Sequence, residues 1–122
     1  MANNTEENVL QIACMKYIRL QYPNVVSFHV RNEGIRGTPQ QRLAYGSKSK
    51  RMGVLSGVSD IIILEPNKHF HGLIIELKAK KGIVSPTQKL FLARTSAKGY
   101  SVHVSRTFDE VKLIVDKYMA EK

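Results

Sequence analysis

Cysteine is nearly absent from this sequence: Cys14 stands alone in 122 residues. A lone thiol closes no intramolecular disulfide and leaves no second Cys for a zinc cluster, so it reads as a small core residue. Long apolar runs are missing as well. No stretch approaches the roughly 20 residues of a membrane span, and the start, Met1-Ala2-Asn3-Asn4-Thr5-Glu6-Glu7, is polar and acidic where a secretory signal is basic and then apolar. The expectation is a protein without a membrane partner that stays in the cytoplasm. Neither a glycine-rich phosphate loop, a Ser/His/Asp set nor an internal repeat is present. Acidic residues are scarce too, ten against nineteen Lys and Arg, for a net charge of +9. What remains is one α/β-sized domain, 43% hydrophobic, long enough for a single core.

The pattern centres on Gly57-Val58-Ser59-Asp60-Ile61-Ile62-Ile63-Leu64 and Gly72-Leu73-Ile74-Ile75-Glu76-Leu77-Lys78. Ile61 to Leu64 and Leu73 to Ile75 are short, β-branched apolar runs bounded by Gly, Pro and Asn, which favours buried strands. Glu65-Pro66-Asn67-Lys68-His69 reads as the hairpin connection. Pairing symmetric about Lys68 sets Asp60 opposite Glu76, with Cβ atoms roughly 5 Å apart. Alternation puts Glu76 and Lys78 on one face with Ile74 and Asp60, and Leu73, Ile75 and Leu77 on the other.

Two carboxylates and an amine therefore converge at the end of an apolar hairpin. Like charges facing each other cost about 0.2–1 kcal/mol at a surface and more when buried. A hard divalent cation offsets that cost: Mg²⁺ takes oxygen ligands, keeps several waters, and is held by one or two carboxylates plus phosphate oxygens. A neighbouring Lys positions the attacking water and stabilises charge on the phosphate. The competing reading is a salt-bridged Glu76/Lys78 pair, with Asp60 capping a turn.

The basic excess is concentrated. Residues 31–51 carry Arg31, Arg36, Arg42, Lys48, Lys50 and Arg51 against Glu33 alone. Such a patch attracts a polyanion, most commonly nucleic acid, although a solubilising surface has the same composition. We expect Arg31, Arg36, Arg42, Lys48, Lys50 and Arg51 to bind DNA through its phosphates, contacts that position the duplex without reading sequence.

Around this centre the chain divides into short elements. A first helix is expected from an N-cap at Thr5 to about Leu20, stopped by Pro23. Stepping from Glu7 gives Gln11, Cys14 and Ile18; stepping from Glu6 gives Leu10, Ala13 and Tyr17, and periodicity alone does not choose between them. Val25 to Val30 reads as a strand and Arg31 to Pro39 as a glycine-punctuated loop. Gln40 to Met52 is either a short helix or a mobile basic segment. Gly53 and Gly57 are placed to admit a close nucleic-acid backbone. Ser85-Pro86-Thr87-Gln88 is a capping box opening a helix that ends at Gly99. Tyr100 to Val104 alternates as a strand, and Thr107 caps a last helix with Val111, Leu113, Ile114, Val115 and Tyr118 on its apolar side. His29, His69, His71 and His103 are scattered, and the hairpin puts His69 and His71 far from Asp60, which argues against zinc.

Asp60, fifteen residues, then Glu76-Leu77-Lys78 resembles the PD-(D/E)xK nuclease signature, with Ser59 standing where Pro is frequent. The succession of Gly57-Val58-Ser59-Asp60, His71 to Lys78, Lys81-Gly82 and Ser85-Pro86-Thr87-Gln88 narrows the resemblance to the virus-type replication-repair nuclease (VRR-NUC) domain, in its stand-alone phage and bacterial form, over Glu7 to Tyr118. Where that family has an Asn-Gly-Gly-like turn, this chain has Asn32-Glu33-Gly34.

The resemblance implies a restriction-endonuclease-like α/β fold, a mixed central sheet flanked by helices in the order helix, strand, strand, strand, helix, strand, helix. It also implies that Asp60, Glu76 and the Leu77 main-chain carbonyl hold Mg²⁺ or Mn²⁺. Lys78 would orient the water, Glu7, preceding Leu10-Gln11, would complete the acidic cluster, and Gln88 would assist from the helix start, a role in tension with capping Ser85. The implied activity is phosphodiester hydrolysis in branched DNA by a homodimer resembling Holliday-junction resolvases. A catalytically silent DNA-binding module and a restriction-type endonuclease are the alternatives.

Overall fold

The computed structural model describes residues 2–30 and 38–122. Along the chain run α1 (Ala2–Gln21), β1 (Ser27–His29), α2 (Pro39–Arg51), β2 (Ile61–Ile63), β3 (Leu73–Leu77), α3 (Pro86–Ala97), β4 (Ser101–Ser105) and α4 (Phe108–Ala120). The four strands form one mixed sheet in the order β1-β2-β3-β4, antiparallel except for the parallel β3/β4 pair. The α/β class and the succession of strands agree with the sequence reading, with one helix more than expected.

The hairpin register is the one the symmetry about Lys68 predicts. Ile61 faces Ile75, Ile62 faces Ile74 and Ile63 faces Leu73. β3 is central and all five of its residues are buried. One face of the sheet presents Ile61, Ile63, Leu73, Ile75 and Leu77 to Cys14, Met15 and Ile18 of α1 and to Val111, Val115, Tyr118 and Met119 of α4. The two helices are tied by Asp116, whose Oδ1 accepts hydrogen bonds from Tyr17 Oη at 2.6 Å and Tyr22 Oη at 2.7 Å. Cys14 is fully buried, and burial pushes its thiol up to about 11, as suits a packing residue.

Several local expectations are corrected. Thr5 lies inside α1 and not at its N-cap. Residues 39–51 form a helix because Thr38 and Gln41 make a reciprocal capping box with Pro39 in the first turn. That is the Ser85-Pro86-Thr87-Gln88 arrangement in a second copy. On α4, Leu113 points to solvent and is 70% exposed; the buried stripe is 111, 115, 118 and 119, and position 113 falls on the opposite side at 3.6 residues per turn. Arg31, Glu33 and Arg36 lie outside the described residues.

Gly57 sets the approach to Asp60. Its φ is +79°, and a Cβ there would lie 2.5 Å from the Thr87 carbonyl oxygen and 2.9 Å from the Gln88 amide nitrogen. What comes close at Gly57 is the first turn of α3. Gly53, φ +95°, has open space around it. Gly53→Ala should cost about 1 kcal/mol, for the backbone conformation alone. Gly57→Ala should cost about 1–3 kcal/mol more by overpacking, and by displacing α3 it should impair function as well. Denaturant unfolding of the two variants checks the difference.

Candidate active site

The site is built at one end of the β2/β3 pair. Asp60 immediately precedes β2 and Glu76 is the fourth residue of β3, so extending the hairpin register by one residue sets them opposite. Asp60 is fixed from both sides. Its Oδ2 accepts a 2.8 Å hydrogen bond from the Leu77 amide. Its main-chain oxygen accepts one from the Val30 amide at 3.1 Å and lies 2.8 Å from His29 Nδ1.

Glu76 is 2% exposed. One of its oxygens is held by the protein: Oε2 accepts from Gln88 Nε2 at 3.1 Å and lies 3.8 Å from Lys78 Nζ. The other, Oε1, is buried with no hydrogen-bond partner. Burial above all, and then the Asp60 carboxylate, push the Glu76 pKa up to about 8, while Lys78 pulls the other way.

Gln88 resolves the tension between capping and site. Its Oε1 accepts from the Ser85 amide at 2.9 Å and its Nε2 donates to Glu76. One amide serves both because its two ends are chemically distinct. Lys78 is equally constrained. Its amide donates to the Ser105 carbonyl at 3.0 Å, and its side chain is 11% exposed.

The residue after Ser105 was not legible beforehand. Arg106 Nη1 donates to the carbonyls of Ala79 at 2.8 Å and Gly82 at 2.7 Å, with Lys80 at 3.4 Å. It pins the turn that follows Lys78. Nothing in the local pattern marks an arginine as binding three carbonyls 24 to 27 residues away; only the parallel β3/β4 register does.

The profile of the VRR-NUC domain matches residues 6–109, most of the chain. The chain belongs to the VRR-NUC family. Membership implies a nuclease of the PD-(D/E)xK type. A solved VRR-NUC domain protein superposes with a TM-score of 0.71 at 26% identity, covering 94% of this chain and 88% of that one. A second solved VRR-NUC domain, 18% identical, superposes with a TM-score of 0.57 over 93% and 97% of the two chains and shows the shared fold. No curated protein matches.

Of the residues the VRR-NUC motif singles out, the structure gathers Asp60, Glu76, Lys78 and Gln88. The Leu77 peptide is linked to Asp60 through its amide. Glu7 is half-buried on the side of α1 that continues into Cys14 and Ile18, whereas Glu6 is exposed, so the stripe from Glu7 is the inward one. Among the described residues no three His, Cys, Asp or Glu side chains form a metal-binding group, and Glu7 stays outside the Asp60/Glu76 pair. Two carboxylates are what Mg²⁺ commonly takes from protein, and the orphaned Glu76 Oε1 fits such a cation. Arg42, Lys48, Lys50 and Arg51 all lie exposed on α2, away from these carboxylates in the sequence and with none of its residues buried. His69 stands 3.7 Å from Glu121, at the hairpin end remote from the site.

A carboxyl with a raised folded pKa stabilises the protein below its unfolded value, near 4.3, and loses that contribution as pH rises through about 8. In EDTA, the melting temperature should therefore fall more between pH 6 and pH 9 for the wild type than for Glu76→Gln, at about 4 °C per kcal/mol of linked ionisation. Equal falls would return Glu76 to the ordinary carboxylate range.

Proposed function

We propose that this VRR-NUC protein is a metal-dependent, structure-specific endonuclease that hydrolyses phosphodiester bonds in branched DNA, acting on four-way junctions as a homodimer. The observation that carries this reading is the unpartnered Glu76 Oε1, buried beside Asp60 where two carboxylates face each other. A buried carboxyl in this setting keeps its proton up to about pH 8, and a cation at Oε1 is what would let it ionise.

Asp60, Glu76 and the Leu77 carbonyl would hold Mg²⁺ or Mn²⁺. The bound ion supplies Lewis-acid charge to the phosphate and acidifies a water. The chain's own groups do the rest. Lys78, held near Glu76 Oε2 and almost closed off from solvent, orients the attacking water and stabilises negative charge on the phosphate oxygens. Gln88 keeps Glu76 from rotating away. Glu7, half-buried on α1, stays outside the Asp60/Glu76 pair and is given no part in the step. Water attacks phosphorus, the phosphorus–oxygen ester bond breaks, and the leaving oxygen takes a proton as the 3′ or 5′ hydroxyl.

The cationic side of α2 supports a DNA substrate. Arg42, Lys48, Lys50 and Arg51 project from a helix with no acidic residue in its first turn, and none has an ion-pair partner among the described residues. The dimer rests on symmetry: one chain carries one carboxylate pair, a junction presents two equivalent strands, and a two-fold dimer matches them. No helix among the described residues is long and apolar enough to cross a membrane, and with DNA as substrate we place the protein in the cytoplasm.

The test is cleavage of an end-labelled four-way junction and its matched linear duplex with Mg²⁺, Mn²⁺ or EDTA. Paired symmetrical nicks confined to the junction are expected, abolished by EDTA and slowed at least about 100-fold in Lys78→Ala. Cutting of the duplex as well would keep the site and remove the junction preference. Tight binding without cutting would leave a silent DNA-binding module.

A further inference from the structure

A second cationic surface lies between α1 and the edge strand β1. Gln11, Ile12, Met15, Lys16 and Arg19 of α1 and His29 of the edge strand β1 line an open cleft of about 360 Å³. Lys16 and Arg19 are exposed, and neither has an acidic partner among the described residues. The cleft wall also holds an anomaly. Both the oxygen and the nitrogen of the Gln11 amide are buried, and neither has a hydrogen-bond partner. Native proteins seldom leave both ends of an amide unmet unless a ligand completes them.

The cleft borders the Asp60 backbone at His29, whose Nδ1 lies 2.8 Å from the Asp60 main-chain oxygen. Its length is also informative. From Gln11 to Arg19 the helix advances about 12 Å, and a strand of DNA rises about 3.4 Å per nucleotide, so the cleft spans about three to four phosphates. Lys16 and Arg19, three residues apart, share one face about 5–6 Å apart at Cβ.

We propose that the α1/β1 cleft is the path of the phosphodiester backbone leading to Asp60 and Glu76. Lys16 and Arg19 take successive phosphates, and the Gln11 amide hydrogen-bonds the part of the strand nearest the cut. This rests on the nuclease reading and adds the direction from which its substrate strand arrives. The basic face of α2 then holds a separate part of the DNA.

Binding in EDTA, where nothing is cut, tests it. Fluorescence anisotropy of a labelled four-way junction and of linear duplex is measured between 50 and 200 mM salt. The proteins are the wild type, Lys16→Ala/Arg19→Ala, Gln11→Met, and Lys68→Ala/Lys117→Ala, which removes the same charge at the opposite end of the hairpin. The slope of log affinity against log salt should shrink by about 2 in the cleft variant, with about tenfold weaker binding at 50 mM, and stay at the wild-type value in the control. Gln11→Met should bind more weakly while melting no lower than wild type, since it removes an unmet amide. Equal slopes in the cleft variant and the control overturn the cleft as a strand path. A Gln11→Met protein that melts lower and binds normally overturns the assignment of its amide to DNA. If the wild type binds and cuts DNA while the cleft variant is unchanged, only the cleft falls; a wild type that binds no DNA removes the nuclease reading itself.

Discussion

Two carboxylates forced together at the dry end of a strand pair are the constraint to which the rest of this protein answers. β3 is buried along its whole length, so Glu76 is almost withdrawn from bulk water. Asp60 is locked opposite it by the Leu77 amide and cannot swing away. Repulsion and desolvation therefore act on Glu76 together and raise its proton affinity. Gln88 and Lys78 relieve one oxygen only. The fold thereby keeps a carboxyl poised to exchange its proton for a cation within a chain whose overall balance is strongly positive and attracts a polyanion.

The supporting elements make sense as devices for keeping that deficit in position. α3 is placed by a capping box at its first turn, and the residue that closes the box is the one that reaches Glu76. Gly57 lets the loop before Asp60 pass against that same turn with no side chain between them. Arg106 gathers the carbonyls beyond Lys78, so that the lysine sits between a fixed strand and a fixed turn. Each contact is modest in energy, about 1 kcal/mol net for a hydrogen bond. Their value is in position.

Much of this was legible in the sequence because it is governed by short-range rules. The hairpin register followed from symmetry about Lys68, and the alternation of apolar and charged residues placed Glu76 and Lys78 on one face. The helices at Ser85 and Thr107 followed from their capping residues. The same rule at Thr38-Pro39-Gln40-Gln41 specifies α2, although the charge and glycine that follow are equally compatible with an irregular segment. Leu113 was misassigned because an unbroken run of apolar residues hides helical period. Gln88's double role, the packing of Gly57 on α3, and Arg106 were not legible, since each depends on chain segments brought together only by the tertiary fold.

The sheet's mixed topology carries a consequence for how the molecule is made. β2 and β3 pair residues 10 to 14 positions apart, whereas β3 and β4 pair residues 28 apart across the helix between them. Closing the shorter loop costs less entropy and is the faster event. Asp60 and Glu76 are brought together by the local closure alone, whereas Gln88 and the Arg106 clamp reach them only through the longer one. The charge conflict is thus written into a short stretch of chain, and the groups that steady it come from a distance.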